Sequence, residues 1–512
     1  MTSVHGLLSS GLDGLVVSSN LSLSGPNGLM GRTLVLKDKD NGRVVCAPIQ
    51  PTTRVLTFQA LLHTPVAGEV AFRQSEQDTG LFSRLYYVDN TRRDTLHKWT
   101  VVPGGESDTL QDFYDNEISR CANLKTRASL IEGSHLLSVG KEPTDVHSIS
   151  YFLLQNLLLL HTQHRGLYFV LYSAEDVSKI IACAPLSLVE PKVAKAEFQE
   201  DGLGEVVFQQ DSPYDPTILT VNLKNLQQRA YSYGINNLPM VVRWDNAHIQ
   251  CRDIKGDIYN PFRLDPEEVP EPGKGTVDQY AVGDLSGKHG TLHNRKEILL
   301  HERDSSLTLF GIRSIIGRAL AIFYPDGKPL ACVNIELTGK SITTAYTTFD
   351  YPIQGQLIFK QDASNPLSDT SIYVELSHPS GSQGRKTFNH LWHVHIYSIK
   401  PDQHYSSTSC AVAGTHYNPF NVSNTGIYAC HCSGRGPSRC EMGDSSGKFG
   451  PLDIPVYSYR QDGTVEIARY FFTDPYLSLS GPNTIVGRSV VVHLPDFSTS
   501  RMACSNIVEH QK

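Results

Sequence analysis

Apolar and polar residues alternate in short runs along most of the chain, as in Thr217-Ile-Leu-Thr-Val-Asn-Leu223, and Gly, Pro and Asn separate the runs. A two-residue period puts one set of side chains on a buried face and the other on a wetter one, so these runs predict strands and an all-β chain. The most apolar stretch, residues 150–160, is interrupted by Gln155 and Asn156 and is too short to cross a bilayer, so it reads as a buried strand with its turn. Two further predicted strands carry histidine: the apolar run Ser489-Val-Val-Val-His493, and the stretch around His393-Val394-His395. Side chains two apart on a strand point to one face, so His393 and His395 can converge on one ion.

The pattern repeats on a larger scale. Leu21-Ser-Leu-Ser-Gly-Pro-Asn-Gly-Leu-Met-Gly-Arg32 recurs as Leu477-Ser-Leu-Ser-Gly-Pro-Asn-Thr-Ile-Val-Gly-Arg488, and Gly283-Asp-Leu-Ser-Gly-Lys288 recurs as Gly443-Asp-Ser-Ser-Gly-Lys448. Tyr259-Asn-Pro-Phe262 recurs as Tyr417-Asn-Pro-Phe420, and one early strand occurs three times, at Gly68-Glu-Val-Ala-Phe72, Gly204-Glu-Val-Val-Phe208 and Gly355-Gln-Leu-Ile-Phe359. A period of about 150 residues means tandem domains, since solenoid repeats are about 20 to 50 residues long. The expected units are a truncated one at 1–50 and whole ones at 51–188, 189–337 and 338–512.

Length and composition narrow the function classes. A chain of 512 residues with 40% apolar and 19% charged residues has the make-up of an ordinary soluble protein of several domains. Its net charge of -7 argues against a nucleic-acid or anionic-membrane partner. Ten cysteines and the sequons at Asn20 and Asn421 suit an extracellular chain, whereas Met1-Thr-Ser-Val-His-Gly has neither a basic nor an apolar leader. We reconcile the two by expecting a fragment of a secreted protein whose N-terminus is missing.

His416 lies in the turn-rich Gly-Thr-His-Tyr-Asn-Pro, and with His393, His395 and His493 it makes four imidazoles without a soft ligand. Such a set suits Cu(II) in a tetragonal site better than zinc or iron. Isolated histidines such as His248 and His431 read as ordinary surface or core residues.

The spacing of these residues resembles the copper/zinc superoxide dismutase family. The likeness runs over roughly residues 339–506: His-x-His at 393–395, Cys410 six before His416, Gly443-Asp444, Gly487-Arg488 before His493, and Arg501-Met-Ala-Cys504. It implies tandem eight-stranded Greek-key barrels or sandwiches. It also implies copper held by His393, His395, His416 and His493, and disulfides Cys121–Cys183, Cys251–Cys332 and Cys410–Cys504, with Cys46 left over. At Cys430-His431-Cys432 two readings stay open, a metal motif and a local bridge to Cys440. Only the last unit keeps the ligand set. In the third, Phe323 and Ile258 replace histidines and Val241-Val-Arg243 is the expected counterpart of His-x-His; in the second the counterparts are Trp99-Thr-Val101 and Tyr172; in the first, Lys37.

Zinc is not expected, because Glu441 stands three before Asp444 where a zinc histidine belongs. This is similar to the copper-only, extracellular branch of the family. The resemblance implies dismutation of superoxide, with His416 taking and returning a proton, Glu441 and Asp444 orienting and re-protonating it, and Arg501 drawing in the anion. The competing reading is a copper-binding scaffold with matrix or cell-surface partners, which tandem units without ligands would also suit.

Overall fold

The structure, a computed structural model, describes residues 32–37, 44–50 and 55–510, with Leu23, Leu29 and Thr53 besides; within the long span it leaves out 76–77, 89–94, 105–120, 122–123, 125–126, 134, 156–165, 200–201, 227–228, 242–250, 252–256, 381–384, 401–408, 425–427, 435 and 460–464. Asn20 therefore lies outside the described residues, as do Val242 and Arg243. As the alternating pattern predicts, the chain is all-β, and helices among the described residues, such as Ser445–Phe449 and Leu285–His289, are single turns.

Among the described residues three large apolar cores follow one another, over residues 58–186, 194–335 and 345–507, and the last also takes in Ala67, Tyr86 and Val88. Around the third core, Ala468–Asp474, Thr370–Ser377, Gln354–Asp362, Ile342–Phe349 and Val508–Glu509 form one antiparallel sheet in that order. Trp392–His395, Ser489–His493 and Arg501–Asn506 form the facing one. The chain passes from one sheet to the other between Thr370–Ser377 and Trp392–His395 and again before Ser489–His493, which is Greek-key connectivity. The second core repeats this arrangement with Ser232–Ile235, Ala319–Phe323 and Pro329–Asn334 as its smaller sheet. Around the first core, the single strand Ile180–Leu188 joins both halves into an eight-stranded sheet.

A buried ion pair recurs at one place in two units. Lys448 pairs with Asp474 and donates to Met442 O at 2.6 Å; Lys288 pairs with Asp304 at 2.9 Å and donates to Val282 O at 2.7 Å. Each pair ties the helical turn after Gly-Asp to a strand of the larger sheet.

Register corrects two of the counterparts expected from sequence. Trp392 pairs with Val492, one before His493; Tyr233 pairs with Ile322, one before Phe323. Gly234 and Asn236 thus occupy the places of His393 and His395, and the bridge Asn236–Ile258 repeats the bridge His395–His416. Val241 lies beyond this strand. In the second unit Trp99 pairs with Leu171, one before Tyr172, so Trp99 matches Trp392 and the ligand places fall on Thr100 and Val102, not on Trp99 and Val101. In both cases the large ring packed in the core sets the phase.

Cysteine bridges join Cys121 to Cys183, Cys251 to Cys332, Cys410 to Cys504 and Cys432 to Cys440, while Cys46 is free and exposed. Of the two readings left open at Cys430-His431-Cys432, the bond from Cys432 to Cys440 is therefore the bridge. The side chain of Cys430 lies outside the described residues.

Candidate metal centre

Trp392 and Val394 enter the core, and the two-residue period turns His393 and His395 the other way. All four residues are at most 5% exposed. Three segments close over this strand. His416 forms an isolated antiparallel bridge with His395, and Tyr417 N donates to Val394 O at 2.9 Å. Val394 N in turn donates to Gly443 O at 2.9 Å. A Cβ on Gly443 would meet Val394 O at 2.2 Å, so only glycine lets the Asp444 loop come this close. On the far side Ser489–His493 pairs with the strand and brings His493 alongside.

Three imidazoles, His393, His395 and His416, bring one nitrogen each within 4.8 Å of one another. His493 Nε2 lies 3.1 Å from His393 Nδ1. The other nitrogen of each ring is engaged outward. His395 Nδ1 faces Gly414 O at 3.0 Å, His493 Nδ1 faces Thr499 O at 2.9 Å, and His416 Nδ1 faces the Glu441 carboxylate at 2.6 Å. Carbonyl and carboxylate oxygens can only accept, so each of these rings carries its proton on Nδ1 and leaves Nε2 as a lone pair. His393 is reversed, with Nε2 3.4 Å from Asp444 Oδ1 and Nδ1 free to face inward.

The inward nitrogens fit a metal ion. His395 Nε2 is buried without a hydrogen-bond partner, a cost that ligation removes. The 3.1 Å between His393 Nδ1 and His493 Nε2 suits adjacent ligands of one ion, whose bonds to imidazole nitrogen are about 2.0 to 2.1 Å. Burial pushes His395 down to about 3 and His493 to about 4, and lowers His393 as well, so the rings stay neutral as ligation requires. Only His416 has a sizeable open face, with 28% of its side chain exposed.

Around the rings lie the carboxylates. Glu441 is 4% exposed and spends one oxygen on His416; the other accepts from Asn418 and Asn424, both at 3.2 Å. Asp444 departs from its expected role. It lies against His393, not His416, because it also N-caps the turn Ser445–Phe449 through Gly447 N at 2.8 Å and accepts from Tyr428 Oη at 2.7 Å, which fixes it behind the His-x-His strand. Burial works to raise the Asp444 carboxyl, but His393, Gly447 N and Tyr428 Oη outweigh it and hold it below the usual carboxylate range. Arg501 donates to the carbonyls of Cys410 and Gly414. Gly414 O is thus shared between Arg501 and the imidazole of His395.

Several contributors escape sequence reasoning. Tyr428 donates to Asp444 and accepts from Glu441 N at 3.0 Å, so it spans both acids. His390 faces the carbonyl of His493 at 2.8 Å and Thr387 at 2.7 Å. Asn418 had a signal, its place in His-Tyr-Asn-Pro; Tyr428 and Asn424 had none.

Residues 353–507 match the sequence model of the copper/zinc superoxide dismutase family. The cell surface superoxide dismutase [Cu-Zn] 4 of Candida albicans is 30% identical over 118 residues, 23% of this chain and 40% of that enzyme. A superoxide dismutase [Cu-Zn] of Onchocerca volvulus is 29% identical over 141 residues, 28% of this chain and 68% of that protein. Among solved structures, Candida albicans superoxide dismutase 5 with Cu(II) is 22% identical and covers 34% of this chain and 94% of its own, with a TM-score of 0.24. The chain thus spans well under two thirds of the Candida cell surface enzyme's length.

Proposed function

We propose that the unit holding residues 353–507, a member of the copper/zinc superoxide dismutase family, binds copper and converts two superoxide anions and two protons into dioxygen and hydrogen peroxide. The observation that carries this reading is the convergence of four inward lone pairs, from His393, His395, His416 and His493, beside an arginine and a buried carboxylate.

Copper held there would supply one-electron redox chemistry. The rest is the work of the chain. His393, His395 and His493 are buried and held from behind, so they are the fixed ligands. His416 is the ring with solvent access, and Glu441 holds its Nδ1 proton and with it the tautomer that leaves Nε2 free. That ring is the group placed to pass a proton inward from water. Arg501, fixed on the carbonyls of Cys410 and Gly414 beside His395, offers a cation that would attract an anion and stabilise peroxide.

Zinc is not part of the site in this reading. Glu441 takes the outward nitrogen of His416, where a bridging histidine would meet a second ion, and among the described residues no second group of three metal-ligating side chains stands nearby. Whole units at 51–188 and 189–337 carry Thr100, Val102, Tyr172, Gly234, Asn236, Ile258 and Phe323 in the ligand places, so copper belongs to 338–512 alone. We place the protein outside the cell or on its surface, which four disulfides favour. The relatives include a cell surface and an extracellular enzyme, and among the described residues no helix is long and apolar enough to cross a membrane.

A second reading has an observation of its own. Units without ligands outnumber the one that has them, as in a copper-binding scaffold. Elemental analysis and a superoxide dismutation assay on the full chain separate the two. The enzyme reading expects about one copper, little zinc and rapid dismutation; a fully copper-loaded chain no faster than a His393→Ala, His395→Ala variant refutes it.

A further inference from the structure

The units without ligands are not merely strung beside the one that has them. The second unit grips the loop that carries Glu441. Arg439 is 1% exposed and donates to the carbonyl of Tyr87 at 3.0 Å and that of Lys141 at 3.5 Å, both in the second unit. Ser438 hydrogen-bonds Tyr86 Oη, and a Cβ on Gly436 would meet Pro143 Cγ at 2.7 Å. The next residue, Cys440, is held by Cys432, and the next after that is Glu441. The other half of the acid–imidazole pair is gripped too. Phe420 stacks face to face on His63 of the second unit, ring centroids 3.6 Å apart and planes within 4°, while Tyr476 meets the same ring edge-on. Phe420 is two residues after Asn418, which donates to Glu441.

We propose that the second unit is a positioning element for the metal centre: through Arg439 and Ser438 on one side and Phe420 on the other, it fixes the two loops that set Glu441 against His416. The inference rests on the copper reading above. In it, packing by a neighbouring unit immobilises the outward nitrogen of His416, a task that a second metal ion would otherwise perform. Arg439 and Tyr86 are therefore positioning residues, whose effect reaches His416 through the loop that carries Glu441.

The test uses the full chain and two second-unit changes, Tyr86→Phe and His63→Ala, alone and together, with Arg439→Ala and Arg439→Lys as a pair. In the metal-free chain, amide hydrogen exchange over 416–424 and 437–444 is expected to quicken by about tenfold in the double variant, the worth of one net hydrogen bond, while the strand Ser489–His493 exchanges as before. In the copper-loaded chain the Cu(II) electron paramagnetic resonance spectrum is expected to change, with Arg439→Lys closer to wild type than Arg439→Ala. Unchanged exchange in those two segments, or an unchanged spectrum, overturns the proposal. Exchange that quickens throughout the last unit also overturns it, since the second unit would then be supporting the fold and not the loops. A wild-type chain that takes up no copper fails the copper reading instead, before any variant is compared.

Discussion

Glu441→Gln is the sharpest probe of the centre, because it changes one atom and keeps the shape. In the wild type the carboxylate can only accept, so His416 must carry its proton on Nδ1, 2.6 Å away, and Nε2 points inward bare. The amide that replaces it can still accept from Asn418 and Asn424 through its oxygen, which leaves its NH2 facing His416. Two donors cannot share that contact, so the ring is driven to the other tautomer, with the proton on the nitrogen that should bind metal. Restoring the ligating form then costs a charge-assisted hydrogen bond, about 1.5 to 3 kcal/mol, or about 10- to 100-fold in copper affinity. Glu441 is nearly inaccessible to water, so little of this is screened. Competition against a copper chelator measures the change directly, and thermal unfolding of the metal-free chain checks that the fold survives. Copper binding as tight as wild type, with an unaltered Cu(II) spectrum, would show that Glu441 does not control the ring.

Arg501→Ala should leave the copper content unchanged, slow dismutation by about tenfold and flatten its dependence on ionic strength, because a fixed cation is lost and no ligand; stopped-flow rates at several salt concentrations decide it, and an unchanged salt slope counts against the role. Replacing Cys432 and Cys440 by serine opens a loop closed over eight residues and should cost about 2 to 3 kcal/mol in the last unit, read by denaturant unfolding, with no loss in midpoint as the contrary result. Burial pushes His63 down to about 3, so the folded chain refuses a proton that the unfolded chain takes near its ordinary 6.5. Stability is therefore whole above about 6.5 and falls as pH drops from there towards 3. His63→Phe, which can keep the stack on Phe420, should lose part of that dependence between about pH 7.5 and pH 5 in thermal unfolding, and identical profiles would contradict the assignment.

What could be read from the sequence follows from how local each feature is. Strand period alone puts His393 and His395 on one face, and tandem repeats show at once because whole phrases such as Leu-Ser-Leu-Ser-Gly-Pro-Asn recur. Counterparts within weakly similar units are harder. Trp99 looks like part of a ligand pair until register shows it to be the core ring beside one, since composition says nothing of which strand face is buried. The partner of Asp444 is hidden from the sequence for a related reason. Its neighbours are set by the helical turn that it caps, not by its distance along the chain from His416. The grip of residues 86, 87 and 141 on the Glu441 loop, and of His63 on Phe420, joins positions some 300 to 360 apart and leaves no pattern in either segment.

Gly-Asp has a different bearing on how related chains are searched. In the third unit, whose ligand places hold no imidazole, a Cβ on Gly283 would still collide with Ile235 O at 2.3 Å, Asp284 still caps its turn through Gly287 N at 2.7 Å, and the buried Lys288–Asp304 pair still follows. In that unit the dipeptide serves the fold without any copper ligand beside it, although residues 51–188 build their core without a Gly-Asp. A genome scan keyed to it would count sandwiches and overstate the number of metal centres. His-x-His, together with an acid three residues ahead of the aspartate, is the query that would count centres.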